Sequence, residues 1–294
     1  MIGTPLAQVP AVYRVRIGDI VVTALSDGTL ERTTEMLRDI ARADAERLLA
    51  DASRPGIVVS VNAFLIHSAG RVALMDTGSG AYLGPSAGKL AGNIAAAGVA
   101  PGGIDTVILT HMHPDHSAGL TDMTTGRANY PNAELVVHEN EPRHWGDDAA
   151  MARGSEREQR LFFQAGREQI APYRDRLRLF GKAVEVFPGV TAVPCHGHTP
   201  GHCGYMIASG KDQLLIWGDT AHVPEVQVAR PEVTVNVDSD PSAAAASRAR
   251  ILDMAASERL LVTGMHLHFP GFAHVARHGS GGYVLVPQAW RTIL

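Results

Sequence analysis

An apolar, β-branched run from Ile104 to Thr110 stops at His111-Met112-His113-Pro114-Asp115-His116. This junction restricts the fold more than any other part of the 294-residue chain. Three imidazoles and a carboxylate on a loop at a strand's C-terminal end can converge on a small volume. That donor set suits zinc or another first-row divalent ion better than calcium or magnesium. Pro114 stiffens the turn between the first two histidines and Asp115-His116. An exposed, metal-free histidine loop is the plain alternative, but three later segments repeat the theme: His196-Gly197-His198-Thr199-Pro200-Gly201-His202, Trp217-Gly218-Asp219-Thr220 and Gly264-Met265-His266-Leu267-His268. Each follows an apolar, strand-like run, so rigid strands can deliver their ligands to one rim.

The rest of the chain alternates strand and helix patterns. Val12 to Leu25 reads as one or two short strands. Thr34 to Ala52 has helical spacing, with Leu37, Ile40, Ala41, Ala45 and Leu48 on one face. Val59 to His67 and Arg71 to Met75 read as strands about the turn Ser68-Ala69-Gly70, and the second runs into the glycine-rich Asp76-Thr77-Gly78-Ser79-Gly80. Ala87 to Ala97 is a small-residue helix, and Glu156 to Leu179 is a more polar one. Ala183 to Val193 splits into two strands at Pro188-Gly189, and Gly204 to Trp217 forms a hairpin about Ser209-Gly210. Ala243 to Ala256 is a helix capped by Ser239, Asp240 or Ser242, with Pro241 at its start. Leu260 to Gly264 and Gly281 to Val286 close the set. With no repeat, low-complexity tract or linker, one domain of α/β or α+β layered-sandwich type is expected.

Composition narrows the function. Hydrophobic residues make up 45% of the chain and charged residues 19%, with a net charge of -4. No basic stripe accompanies that balance, so neither a nucleic-acid nor a membrane partner is expected. The run Arg174 to Arg178 alternates and reads as a solvated helix face. Cys195 and Cys203 are too few for a disulfide framework and are expected to be reduced. No leader pattern and no span of about 20 apolar residues is seen, which points to a cytoplasmic protein. A periplasmic protein whose signal peptide has been removed would read the same.

The motif at 111–116, the upstream Asp76-Thr77-Gly78, His198 in Gly-His-Thr-Pro-Gly-His, Asp219 after an apolar strand and the late His266 together resemble the metallo-β-lactamase superfamily. Val61-Asn62-Ala63-Phe64-Leu65 and Phe269-Pro270-Gly271-Phe272 make the likeness closest to its methyl parathion hydrolase and quorum-quenching lactonase branch. The resemblance implies a four-layer αββα sandwich: residues 1–58 as an N-terminal strand and helix extension packed on the core, and 59–294 as the catalytic domain. It also implies a homodimer and two divalent ions per chain, most simply zinc, with manganese, iron or cobalt as substitutes. His111, His113 and His198 would hold one ion; Asp115, His116 and His266 would hold the other. Asp219 would bridge them. A metal-bridging hydroxide would attack a lactone or ester carbonyl, with Asp115 and Asp219 as the catalytic carboxylates.

Around these, Asp76 is expected to orient a histidine through its free ring N–H. His222, three residues past Asp219, is expected to border the substrate. A polar residue there leans the reading toward a lactone or ester, with phosphotriester hydrolysis as a side activity. A dedicated organophosphate hydrolase is the alternative. His268 can line the pocket or face solvent; His196 and His202 are read as structural or as supports behind the ligands. His67, His138, His144, His274 and His278 are read as surface or core residues. A nuclease of this fold would carry a basic groove, and a glyoxalase-II-like thioesterase would carry a C-terminal helical region. A diiron redox member would favour a Glu in the histidine motif and a flavin domain. None of these is visible.

Overall fold

The computed structural model describes residues 4, 8–279 and 281–294. The first seven residues, where a leader would be sought, lie mostly outside that set. Two seven-stranded sheets form the centre. The first runs in the order Val12–Ile17, Ile20–Arg32, Ile57–Ser68, Arg71–Met75, Thr106–Ile108, Glu134–His138, Leu177–Phe180. The second runs Glu185–Phe187, Val190–Pro194, Cys203–Ser209, Asp212–Ile216, Leu261–Thr263, Ala273–His278, Gly282–Pro287.

Alternation along the strands builds the layers. Val22, Phe64, Ile66 and Ile108 of the first sheet meet Val190, Tyr205, Ile207 and Ile216 of the second in one buried core. On the outer face of the first sheet, Leu65, Leu74, Val107 and Leu135 pack against Leu90, Ile94, Trp145 and Phe163 from the helical segments. On the outer face of the second, Leu215 and Val262 pack against Ile251, Leu252 and Ala255 of the helix Pro241–Ser257. The result is the αββα order.

Strand direction positions the chemistry. Most pairings are antiparallel, but Arg71–Met75, Thr106–Ile108, Glu134–His138 and Leu177–Phe180 are mutually parallel, as are Asp212–Ile216 and Leu261–Thr263. Parallel neighbours end on the same edge of a sheet, where ligands gather in α/β folds. Asp76 and His111 follow two such strands, and Asp219 and His266 follow the other two. Tyr205 donates across the core to the Leu109 carbonyl at 2.7 Å, and the Cys203 amide donates to the Thr110 carbonyl at 3.0 Å, which ties the two edges together.

Three expectations change. The helix expected from Thr34 forms only over Arg42–Asp51, because Leu37–Arg38 pairs with Thr234–Val235 and Asp39 takes φ 62°, outside the right-handed helical region. Its buried residues are Ala45 and Leu49, with Leu48 on the margin. The polar helix expected to Leu179 ends sooner: Leu177–Phe180 leaves it to extend the first sheet beside Glu134–His138. Arg178 therefore holds Glu134 from a strand, while Arg174 and Arg176 stay in the last helical turn. The strand Ala273–His278, between the last histidine loop and Gly282–Pro287, has no counterpart in the sequence reading. Both cysteines are buried and unbonded to each other. Among the described residues no helix is long and apolar enough to cross a membrane.

One buried cation belongs to the scaffold. Arg248, on the long helix, donates Nε to the Thr220 carbonyl at 2.6 Å and Nη1 to the carbonyls of Pro231 and Val233 at 2.8 and 2.7 Å. It fixes the loop that carries Asp219. Replacing Arg248 by Met leaves the Thr220, Pro231 and Val233 carbonyls without that donor, so unfolding stability should fall by about 3 kcal/mol. Urea denaturation reads this as a lower midpoint at unchanged slope.

Candidate metal centre

Four of the cluster histidines are fixed at Nδ1 by a neighbour that takes the proton. Asp76, buried and at φ 57°, accepts from the Thr110 amide and from Thr110 Oγ1, both at 2.8 Å. The Thr110 hydroxyl proton is thereby committed, so its oxygen accepts from Nδ1 of His111 at 3.0 Å. Asp76 also accepts from Nδ1 of His116 at 2.7 Å. Asp238 does the same for His198 at 2.8 Å, and the Ser60 carbonyl for His266 at 2.7 Å. In these four rings the Nε2 lone pair is left pointing inward.

The lone pairs converge. Nε2 of His111 and Nε2 of His198 lie 3.2 Å apart. Asp219 Oδ2 lies 3.0 Å from Nε2 of His266, 3.1 Å from that of His222, 3.2 Å from that of His116 and 3.3 Å from that of His198. Asp115 approaches His116 at 3.5 Å and His266 at 3.6 Å. Two lone pairs facing each other, or a lone pair facing a carboxylate oxygen, repel unless a proton or a cation lies between them. His116 Nε2 and Asp219 Oδ1 are also buried with no hydrogen-bond partner among the described residues. These residues fit divalent cations. Four groups of three side chains can each bring ligand atoms to one point: His111-His113-His198, His111-His116-Asp219, Asp115-His116-His266 and His198-Asp219-His222.

Protonation tendencies describe the same demand for positive charge. Burial disfavours a charged His116, yet Asp219, Asp115 and Asp76 raise its pKa well above the ordinary value. Burial is likewise outweighed at His198, where Asp219 and Asp238 push the ring up to about 9. Asp219 falls well below the carboxylate range because His116, His266 and His222 overcome its burial. His111 and His113 go the other way: burial, and then the neighbouring imidazoles, hold them neutral. His222 is pushed down to about 4 by burial, with Asp219 opposing.

The other histidines divide clearly. His202 accepts from the Asp219 amide at Nε2, 2.9 Å, and donates from Nδ1 to the Cys195 carbonyl; burial takes it down to about 3. It pins the Asp219 loop as a neutral ring. His268 pairs with Glu225 at 2.6 Å and lines a separate, largely apolar cleft beside the last two strands, because the chain turns outward after the buried Leu267. It does not line the cavity above the cluster. His138 and His196 meet edge to face, and His144 sits on Trp145; none of these, nor His67, His274 or His278, belongs to the ligand groups.

Two positioning residues escape the sequence reading. Glu141, fully buried, accepts from the Met112 amide at 2.9 Å and Trp145 Nε1 at 2.8 Å through Oε2, and from the Gly201 amide and Thr199 Oγ1 through Oε1. It clamps the 111–116 loop to the His198 loop. Asp238 lies beside Asp240, which caps the long helix by accepting from the Ala243 amide. A run of Asp-Ser-Asp before a helix signals caps, and nothing in it singles out the residue that bonds His198. Above the cluster opens a cavity of about 280 Å³, lined by Leu30, Met36, Leu161, Phe162, His222 and Asn236 among others.

Residues 56–266 match the family model of the metallo-beta-lactamase superfamily. Among solved structures, a hydrolase of the beta lactamase superfamily, AbOPH, superposes with a TM-score of 0.90 at 29% identity, covering 97% of this chain and 100% of its own. AidC, described as a dizinc quorum-quenching lactonase, gives 0.89 at 23% identity over 96% of this chain and 99% of its own. A probable metal-dependent hydrolase from Staphylococcus aureus gives 0.77 at 23% identity over 95% and 100%. At 23% identity such likeness speaks for the fold alone. No curated protein matches the sequence.

Replacing Asp238 by Asn turns an acceptor into an amide that cannot hold His198 as firmly, and outer partners of this kind set metal affinity. Zinc affinity should fall roughly 10- to 100-fold, read by competition with a chromogenic chelator. A His274→Ala control, altering a ring that bonds only the Leu260 carbonyl, should leave affinity unchanged.

Proposed function

The chain belongs to the metallo-beta-lactamase superfamily, and from that premise we propose that it is a binuclear zinc hydrolase of lactones and related carboxylic esters. The observation that carries this reading is the way the ligand groups divide. His111-His113-His198 and Asp115-His116-His266 each form a convergent set, and Asp219 lies within reach of both. Bound divalent cations supply two things here: a water whose pKa falls toward ~7, and an electrophilic contact for a carbonyl oxygen.

The chain's own residues do the rest. Of the two carboxylates that line the cavity, Asp115 is the more exposed, 19% against 2% for Asp219, so it is placed to hold a proton and return it to the leaving alkoxide. Asp219 is too enclosed for that role and serves to hold the two ligand sets in register. Phe162, Leu161 and Leu30 exclude water and receive the apolar part of an acyl group. His222 lines the same cavity with its ring stacked on His266; its Nε2 lies 3.1 Å from Asp219 Oδ2, and with Asp219 taken up by cations that N–H would be free to bond a substrate oxygen. A lactone or ester accepts that bond, whereas a bulky aryl phosphotriester finds a polar ring where its leaving group must pack. The description of AidC as a lactonase is a further reason to test lactones first.

His222→Ile removes the donor and adds an apolar wall. The kcat/KM for lactones should fall roughly tenfold and that for paraoxon-like triesters should rise, at unchanged metal content. The ratio of the two activities is the quantity to measure; a ratio equal to wild type would make His222 a bystander and remove the preference for lactones. Asp219→Ala should abolish turnover by several orders of magnitude, and comparable activity in that variant would show that it does not join the two ligand sets.

A further inference from the structure

The cavity above the cluster is lined by two arginines that the cluster does not use. Arg32 ends the strand Ile20–Arg32, and Arg157 lies in the short helix Glu156–Glu158, so distant parts of the chain place two exposed arginines on the lining of one small space. Neither forms an ion pair with a carboxylate among the described residues. Arg32 donates only to the carbonyl of its neighbour Glu31. Arg42, Arg54, Arg167, Arg178 and Arg277 each hold a carboxylate. Of the two acids adjacent to Arg157, Glu158 accepts from the Ser155 amide and hydroxyl in a helix-capping box, and Glu156 forms no ion pair with that arginine among the described residues.

The carboxylates inside the cavity are committed as well. Asp115 and Asp219 face the imidazole cluster, and any divalent cations held there would over-compensate their charge. A chain with a net charge of -4 thus surrounds the cavity above its imidazole cluster with an excess of positive charge. Such focusing acts on a substrate, because low-dielectric walls concentrate the field inside a cleft. The walls here are Leu30, Met36, Val59, Leu83, Leu161 and Phe162.

From this juxtaposition we infer that the substrate is an anion: a small lactone or ester that carries a free carboxylate on a short apolar body, held by Arg32 and Arg157 while its acyl carbon lies over the cluster. A planar guanidinium presents paired N–H groups that match a carboxylate, which a lone ammonium does not. A phosphate dianion would instead compete for the cation-binding cluster itself. The cavity of about 280 Å³ suits a small molecule. The carboxylate takes no part in the bond change, in which water adds across the acyl C–O bond to give a hydroxy acid from a lactone, or an acid and an alcohol from an ester. Arg32 and Arg157 are thus specificity residues acting on binding, and the inference rests on the hydrolase reading of the cavity.

The test uses metal-loaded protein and two matched pairs of compounds. One is a γ-lactone bearing a carboxylate and its N-methyl amide; the other is mono-4-nitrophenyl glutarate and 4-nitrophenyl pentanoate. Wild type should prefer the charged member of each pair at least tenfold in kcat/KM at low ionic strength, chiefly through KM. That preference should shrink in 0.5 M salt. The double variant Arg32→Gln, Arg157→Gln should bring the ratio close to one, by lowering the charged member's kcat/KM far more than the neutral member's. A wild-type ratio near or below one, or a ratio that the double variant does not alter, overturns the inference. Ester turnover without lactone turnover would refute the lactone reading and still give the charge ratio. If neither pair is turned over, calorimetric titration with the hydroxy-acid product and its N-methyl amide reads the same ratio as binding. Equal affinities, or a preference retained by the double variant, then overturn the inference.

Discussion

The rest of the site depends on where four imidazole protons go. Thr110, Asp76, Asp238 and the Ser60 carbonyl take the Nδ1 protons of His111, His116, His198 and His266, and every Nε2 lone pair is turned onto the volume around Asp219. Left alone that arrangement is repulsive, which is why His116 and His198 are driven toward protonation despite complete burial. The cluster is built to be completed by positive charge, and a divalent cation satisfies several lone pairs where a proton satisfies one.

Such an arrangement is stable only because its supports are buried and shared. Asp76 serves two histidine rings through one carboxylate, and Glu141 joins two ligand loops through four donors. Asn62 donates to the carbonyls of Gly264 and Leu267 and so fixes the His266 loop against the first sheet. His202 and Arg248 hold the Asp219 loop from opposite sides, one through its amide and the other through the Thr220 carbonyl. Each support links segments far apart in sequence, so the two sheets must be packed before the ligands can meet. Preorganisation of this kind keeps first ligands in place without a metal to gather them.

The residues that touch the centre were legible because their chemistry is unusual at their position. Histidine and aspartate directly after apolar β-branched runs conflict with ordinary strand and loop composition, and His111, His113, Asp115, His116, His198, Asp219 and His266 all meet in one volume. The layered fold followed from short apolar runs bounded by turn residues, such as Ile57–Ser68, which is buried along almost its whole length. Supports were less legible. Glu141 sits in the first turn of the short helix Asn140–Trp145 after an unread strand, and Asp238 hides among capping residues, because a hydrogen bond across the fold leaves no spacing in the chain. The helix expected at Thr34 failed for a similar reason: the partner of Leu37–Arg38 is Thr234–Val235, far downstream, and tertiary pairing overrode local periodicity.

The central claim is that the buried imidazole–carboxylate cluster is a two-cation centre on which hydrolysis depends. It is tested most directly by elemental analysis of the purified protein beside activity before and after chelation. The account predicts close to two equivalents of zinc or a similar first-row ion per chain, turnover lost on chelation, and turnover restored when two equivalents are returned. Well under one equivalent per chain, with full activity retained after chelation, would contradict it.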